Sequence, residues 1–174
     1  MMAGLLLAPA ASRAEPALTQ GSLVRTNLGP TQLPTASRVV VRKAARRLEL
    51  MRGNEVLRSY HISLGLVPAG HKEKAGDFRT PEGKYLLTRR NARSDFFLSI
   101  QVSYPGPDDL KRAKARGLDP GGSIMIHGLP NRLKRPPGDY METDWTDGCI
   151  AVSNSDMVEI WLLVNENTPI DILP

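Results

Sequence analysis

Residues 38–64 read RVVVRKAARRLELMRGNEVLRSYHISL, and this stretch decides the fold class. Val39-Val40-Val41 and Leu48 to Leu50 are short strand-like runs. Arg52-Gly53-Asn54-Glu55 has turn composition, and Val56 to Leu64 reads as the returning arm of a hairpin. The same punctuation continues downstream. Gly65 to Gly76 reads as a loop, Thr80-Pro81-Glu82-Gly83 as a turn before a strand from Lys84 to Thr88, and Phe97 to Tyr104 as another strand. Pro107-Asp108-Asp109 opens a short basic helix that Gly117 closes. In Ser123 to His127 the residues alternate, with Ile124 and Ile126 on one face and Met125 and His127 on the other. Gly148 to Val152 is strand-like, Ser155 caps a second helix with Asp156 and Glu159 in its first turn, and Ile170-Asp171-Ile172 forms a closing edge strand. The expectation is a mainly β, sandwich-like single domain over residues 38–174, with a few short helices.

Working outward, the 174 residues are 41% hydrophobic and 24% charged, which supports a buried core and excludes a disordered chain. No run approaches 18 apolar residues, so no membrane-spanning helix is expected. Residues 1–14 carry a short apolar run, Ala3 to Ala11, then small residues before Glu15-Pro16. They read as an export signal truncated at its start, because no Lys or Arg precedes the apolar run. Residues 15–37, rich in Thr, Gly, Pro and Ser, read as a linker. The net charge of +5 is unevenly spread. All 23 Lys and Arg lie at or before Arg135 with ten of the 18 acids, a balance of +13; the other eight acids follow it. Such a split does not describe a nucleic-acid coat, though it leaves a basic surface for an acidic substrate.

The chemistry concentrates on two residues. Of the three histidines, His61 sits inside a strand and reads as structural, and His71 lies in a Gly- and Lys-rich loop and reads as solvated. His127 ends an alternating strand and precedes Gly128, which permits close approach of backbone or ligand. Cys149, the single cysteine, follows Gly148 and precedes an apolar strand. It excludes an internal disulfide and any multi-cysteine zinc site. Alone, a cysteine is usually a small buried hydrophobe. Paired with an imidazole that takes its proton, it becomes an acyl-transfer nucleophile. Gly148 permits a tight turn that would aim its own N–H and that of Cys149 at a developing oxyanion. A metal site from His127, Asp147 and Cys149 lacks any recognisable ligand pair, so neither metal nor other cofactor is expected.

His127-Gly128, followed by Thr146-Asp147-Gly148-Cys149-Ile150, resembles the signature of the YkuD-type L,D-transpeptidases: HG, a variable loop, then S/T-x-G-C-I/V. Gly65 and the segment Lys72 to Gly83 resemble the family's K-x-G-D-x-x-TP-x-G stretch, and Asp144 to Val152 is similar to its Gram-negative, YafK-like branch. The resemblance covers about residues 38–174. Two positions depart from it: Ala151 stands where many members have Arg, and Asp147 fills the variable place before Gly148. Sortases need an Arg after the cysteine, and papain-like and NlpC-type peptidases run Cys before His; this chain has neither feature.

The resemblance implies a YkuD-like β-sandwich and a peptidoglycan tetrapeptide stem as acyl donor. Cys149 would attack the carbonyl that joins the third residue, a diamino acid, to the terminal D-Ala, with His127 as base and then acid. An amine acceptor would resolve the thioester in cross-linking or in anchoring an outer-membrane lipoprotein; water would make the enzyme a hydrolase. A non-catalytic peptidoglycan-binding module is the third reading. Gly128, Thr146, Asp147, Lys74 and Arg79 are the substrate-binding candidates, with Lys72 also placed to meet stem carboxylates and Asp147 to orient His127. The implied compartment is the periplasm. The oligomeric state is left open.

Overall fold

The computed structural model describes residues 33–174, so the signal segment and most of the linker lie outside the described residues. Ala36 and Ser37 are already docked: Ala36 is buried with its N–H on Leu163 O at 2.7 Å, and the Ser37 N–H meets Met51 O. The strands are β1 (Arg38–Arg42), β2 (Arg47–Arg52), β3 (Glu55–His61), β4 (Gly83–Ser94), β5 (Phe97–Val102), β6 (Met125–His127), β7 (Ile150–Ala151) and β8 (Thr168–Leu173). The helices are α1 (Pro107–Ala115), α2 (Pro137–Glu142) and α3 (Asn154–Leu163).

All eight strands join one sheet in the order β3-β2-β1-β8-β4-β5-β6-β7. Pairing is antiparallel except at β1–β8 and β6–β7. Beyond the end of β3, bridges from Ser63 to Ala151 and from Gly65 to Thr146 tie that edge to the β7 end. The mainly β architecture is therefore as the patterning predicts, and the sandwich is one sheet curled until its two edges meet. Val39, Val41, Leu48, Leu50, Leu87, Ile100, Ile126, Ile150 and Ile170 fill the inside, each at most 1% exposed. α3 adds Met157, Ile160 and Leu163 and packs on β5.

Four expectations are corrected. β8 is central, between β1 and β4, because both of its neighbours are sequence-distant and no local pattern marks them. The cap of α3 is Ser153, whose Oγ accepts the Asp156 N–H at 3.1 Å, rather than Ser155. β4 runs to Ser94, six residues past Thr88, and its polar outer half is held by pairing with β5 instead of by core burial. α2 was not expected. Its buried Tyr140 and the carbonyls of Tyr140 and Met141, which bond Ser63 Oγ at 2.7 Å and His61 Nε2 at 2.8 Å, fix it against the end of β3.

Candidate active site

β6 and β7 are short parallel neighbours, and the two candidate catalytic residues stand at their ends. His127 is the last residue of β6 and Cys149 directly precedes β7. Both line one cavity of about 510 Å³, whose wall also includes Arg93, Phe96, Ser99, Ser123, Trp145 and Asp147. The hairpin of β4 and β5 forms one side of this cavity. Asn131 holds the hairpin tip, accepting the Phe97 N–H at 2.9 Å and donating to Ser94 O at 2.9 Å.

His127 is 4% exposed. Its Nδ1 lies 2.7 Å from Gly128 O. A carbonyl only accepts, so Nδ1 carries the proton and Nε2 is the basic nitrogen. Burial lowers the imidazole pKa to about 4, against a smaller upward pull from that hydrogen bond. Phe96 and Trp145 flank the ring at centroid distances of 4.6 and 5.7 Å. The Cys149 thiol, half-buried, donates to Ser123 O at 3.6 Å, and burial pushes its pKa up. Both shifts favour the uncharged forms, so the resting pair is thiol and neutral imidazole.

The loop before Cys149 is built for close approach. Gly148 has φ +127°, and a Cβ there would come within 2.5 Å of Arg79 O. A Cβ on Gly65 would collide with Phe78 O and crowd the Gly148 Cα. Thr146, 4% exposed, accepts the Gly148 N–H on Oγ1 at 3.1 Å and donates to Cys149 O at 2.8 Å. Asp144 anchors the loop from below. It accepts the Leu64 N–H at 2.8 Å and grips Arg46 through both carboxylate oxygens.

The expected site residues are distributed unevenly around this cavity. The Gly148 N–H, one of the two expected oxyanion donors, is engaged with Thr146 Oγ1 within the loop. Thr146 lines the cavity but spends its hydroxyl on the loop. Asp147 is exposed on the rim; the Gly128 carbonyl, not Asp147, orients His127. Gly128 lies off the cavity wall, where a Cβ would strike Asn154 Oδ1 and Phe97. Lys74 and Arg79 do not line the cavity either. Lys72 is 3% exposed and paired with Asp77 at 2.7 Å; burial works against the Asp77 carboxylate, yet Lys72 and three backbone N–H groups hold its pKa at about 2. Lys72 and Asp77 thus tie the segment together from within. His71, expected to be solvated, accepts the Glu82 N–H on Nδ1 and meets Asp109 through Nε2 at 3.1 Å. It lines a separate cavity of about 580 Å³ whose wall holds no cysteine, serine or threonine.

Sequence reasoning missed Arg46, Phe96, Ser99 and Ser123. Only Ser123 had a local signal, the Gly121-Gly122 pair before it, which lets the chain turn into a residue at φ +55°.

The L,D-transpeptidase catalytic domain model (YkuD) matches residues 36–172. YafK of Escherichia coli K12, named for the L,D-transpeptidases, is 30% identical over 112 residues, 63% of this chain and 38% of YafK. The chain thus spans well under half of that relative's length. Among solved structures, the helical cell shape determining protein Pgp2 of Campylobacter jejuni superposes with a TM-score of 0.59 at 25% identity, over 77% of this chain and 46% of Pgp2. The L,D-transpeptidase of Mycobacterium smegmatis gives a TM-score of 0.52 at 15% identity, over 78% of this chain and 58% of that one, a likeness of fold.

Proposed function

Because the chain belongs to the YkuD L,D-transpeptidase catalytic domain family, we propose that it is a cysteine acyl-transferase acting on peptidoglycan stem peptides. The observation that carries this reading is that Cys149 and a tautomer-fixed, neutral His127 line one cavity. His127 Nε2 takes the thiol proton as Sγ attacks the carbonyl of the third stem residue, and the Cys149 N–H steadies the oxyanion. The imidazolium then gives its proton to the departing D-Ala amine, leaving a thioester. An amine of a second stem, or of an outer-membrane lipoprotein, resolves the thioester and completes a cross-link or an anchor.

Such a substrate lies outside the cytoplasmic membrane, so the proposed compartment is the periplasm, reached through residues upstream of Glu15. Incubation with a disaccharide-tetrapeptide, followed by mass analysis of the muropeptides, tests the reaction. A cross-linked dimer with release of D-Ala is the expected product. A tripeptide alone would assign the second step to water, and unchanged substrate would overturn the proposal.

A further inference from the structure

Two residues of the cavity wall each carry a buried polar atom with no hydrogen-bond partner in the protein, the Ser99 hydroxyl and the Trp145 indole N–H. The other two such atoms among the described residues, Arg38 Nε and Arg90 Nε, belong to guanidinium groups paired through their remaining nitrogens. Unpartnered buried groups are rare in folded proteins, and at a cavity they mark where a bound molecule supplies the partner. Ser99 is 1% exposed.

Both groups border the same imidazole. Ser99 is the register partner of His127 across β5 and β6, which sets their Cβ atoms roughly 5 Å apart on one face of the sheet. Trp145 meets the ring edge-on. The sheet order is β5-β6-β7, and Ile126 pairs with Ile150, so Cys149 sits level with Met125 on the β7 side of His127. Ser99 stands on the other side. A molecule held beside Ser99 would approach the imidazole from the side away from Cys149.

We propose that Ser99 and Trp145 are positioning residues for the nucleophile that resolves the acyl-enzyme, an inference that rests on the thioester reading above. The nucleophile is water or an amino-acid amine. One of its hydrogens donates to Ser99 Oγ and another to His127 Nε2, while the Trp145 N–H donates to an oxygen of the same molecule, the water itself or the amino acid's carboxylate. Its lone pair forms the new C–O or C–N bond, the C–Sγ bond breaks, and the proton taken by Nε2 passes to the Sγ thiolate. No further reactant is needed.

The test separates the two half-reactions by using a peptidyl thioester donor, whose thiolate leaving group needs no proton from His127. Intact-protein mass spectrometry follows formation and decay of the Cys149 acyl-enzyme, with and without an added D-amino acid. In Ser99→Ala, formation is expected to match wild type within about threefold, while decay slows about tenfold, the worth of one hydrogen bond made only in the second step. The melting temperature should not fall, because the hydroxyl removed had no partner in the protein. Trp145→Phe should slow decay in the same sense. The mass of the released product distinguishes water from the amino acid. Unchanged decay in both variants would overturn this inference alone, as would equal slowing of both steps with a lowered melting temperature. Failure of the wild type to form any acyl-enzyme would overturn the function proposed above.

Discussion

The imidazole of His127 is held by the carbonyl of its own neighbour, Gly128, through a 2.7 Å hydrogen bond from Nδ1. The orienting group is therefore uncharged, and its hydrogen bond favours the imidazolium less than burial disfavours it. With the ring 4% exposed, the neutral form is strongly favoured, and its pKa stands at about 4.

The pH profile follows from this. His127 remains an unprotonated base at every pH above about 4, so kcat/KM should show no acid limb near 6.5 and should fall only toward pH 4. Stability changes over a matching window. The folded pKa of about 4 lies below the unfolded value near 6.5, so the unfolded chain binds more protons between them. The contribution of neutral His127 is complete above pH 6.5 and is lost as pH falls to 4, on the order of 3 kcal/mol. Denaturant titrations from pH 4 to 7 should show this slope in wild type and not in His127→Gln.

Cys149→Ser should abolish turnover with little loss of fold, because one neutral imidazole tuned for a thiol does not ionise a hydroxyl. A carbapenem should add once to wild type, at Cys149, and not to Cys149→Ser, read as intact mass. Since burial raises the thiol pKa, alkylation of the free enzyme should be slow at neutral pH and climb only at alkaline pH.

Thr146→Val keeps the side-chain shape but strips the buried Gly148 N–H of its acceptor and Cys149 O of its donor. A loss of about 1–3 kcal/mol in stability is expected. Acylation of Cys149 should slow as well, because the loop no longer fixes the thiol. Thr146→Ser should restore both, measured by urea unfolding and by single-turnover acylation.

Asp144→Asn retains an acceptor for the Leu64 N–H but removes the counter-charge of Arg46. The two side chains are 29% and 17% exposed, so the cost should be about 2 kcal/mol, below the roughly 3–5 kcal/mol of breaking a fully buried pair. Thermal unfolding in low and high salt checks this. The difference from wild type should shrink only slightly with salt, because the pair is partly shielded from solvent.

The sequence by itself determined the strands of the first hairpin, the mainly β class, and the candidate pair His127 and Cys149. Val39 to Val41, Leu48 to Leu50 and the Gly53-Asn54 turn are local signals, and His127-Gly128 and Gly148-Cys149 announce their backbone needs through glycine. Tertiary structure decided what those residues do to one another. Nothing near Ile170 and Ile172 says that β8 threads between β1 and β4, because the partners lie over 70 residues away along the chain. Nothing near Asp147 says that its carboxylate stays on the rim while a backbone carbonyl orients the base. The Gly148 N–H reads as an oxyanion donor until Thr146 claims it, and Ser99 reads as an ordinary strand serine until the register sets it opposite His127. The periodicity of a strand fixes which way a side chain points, but only the pairing of distant strands decides what stands opposite it.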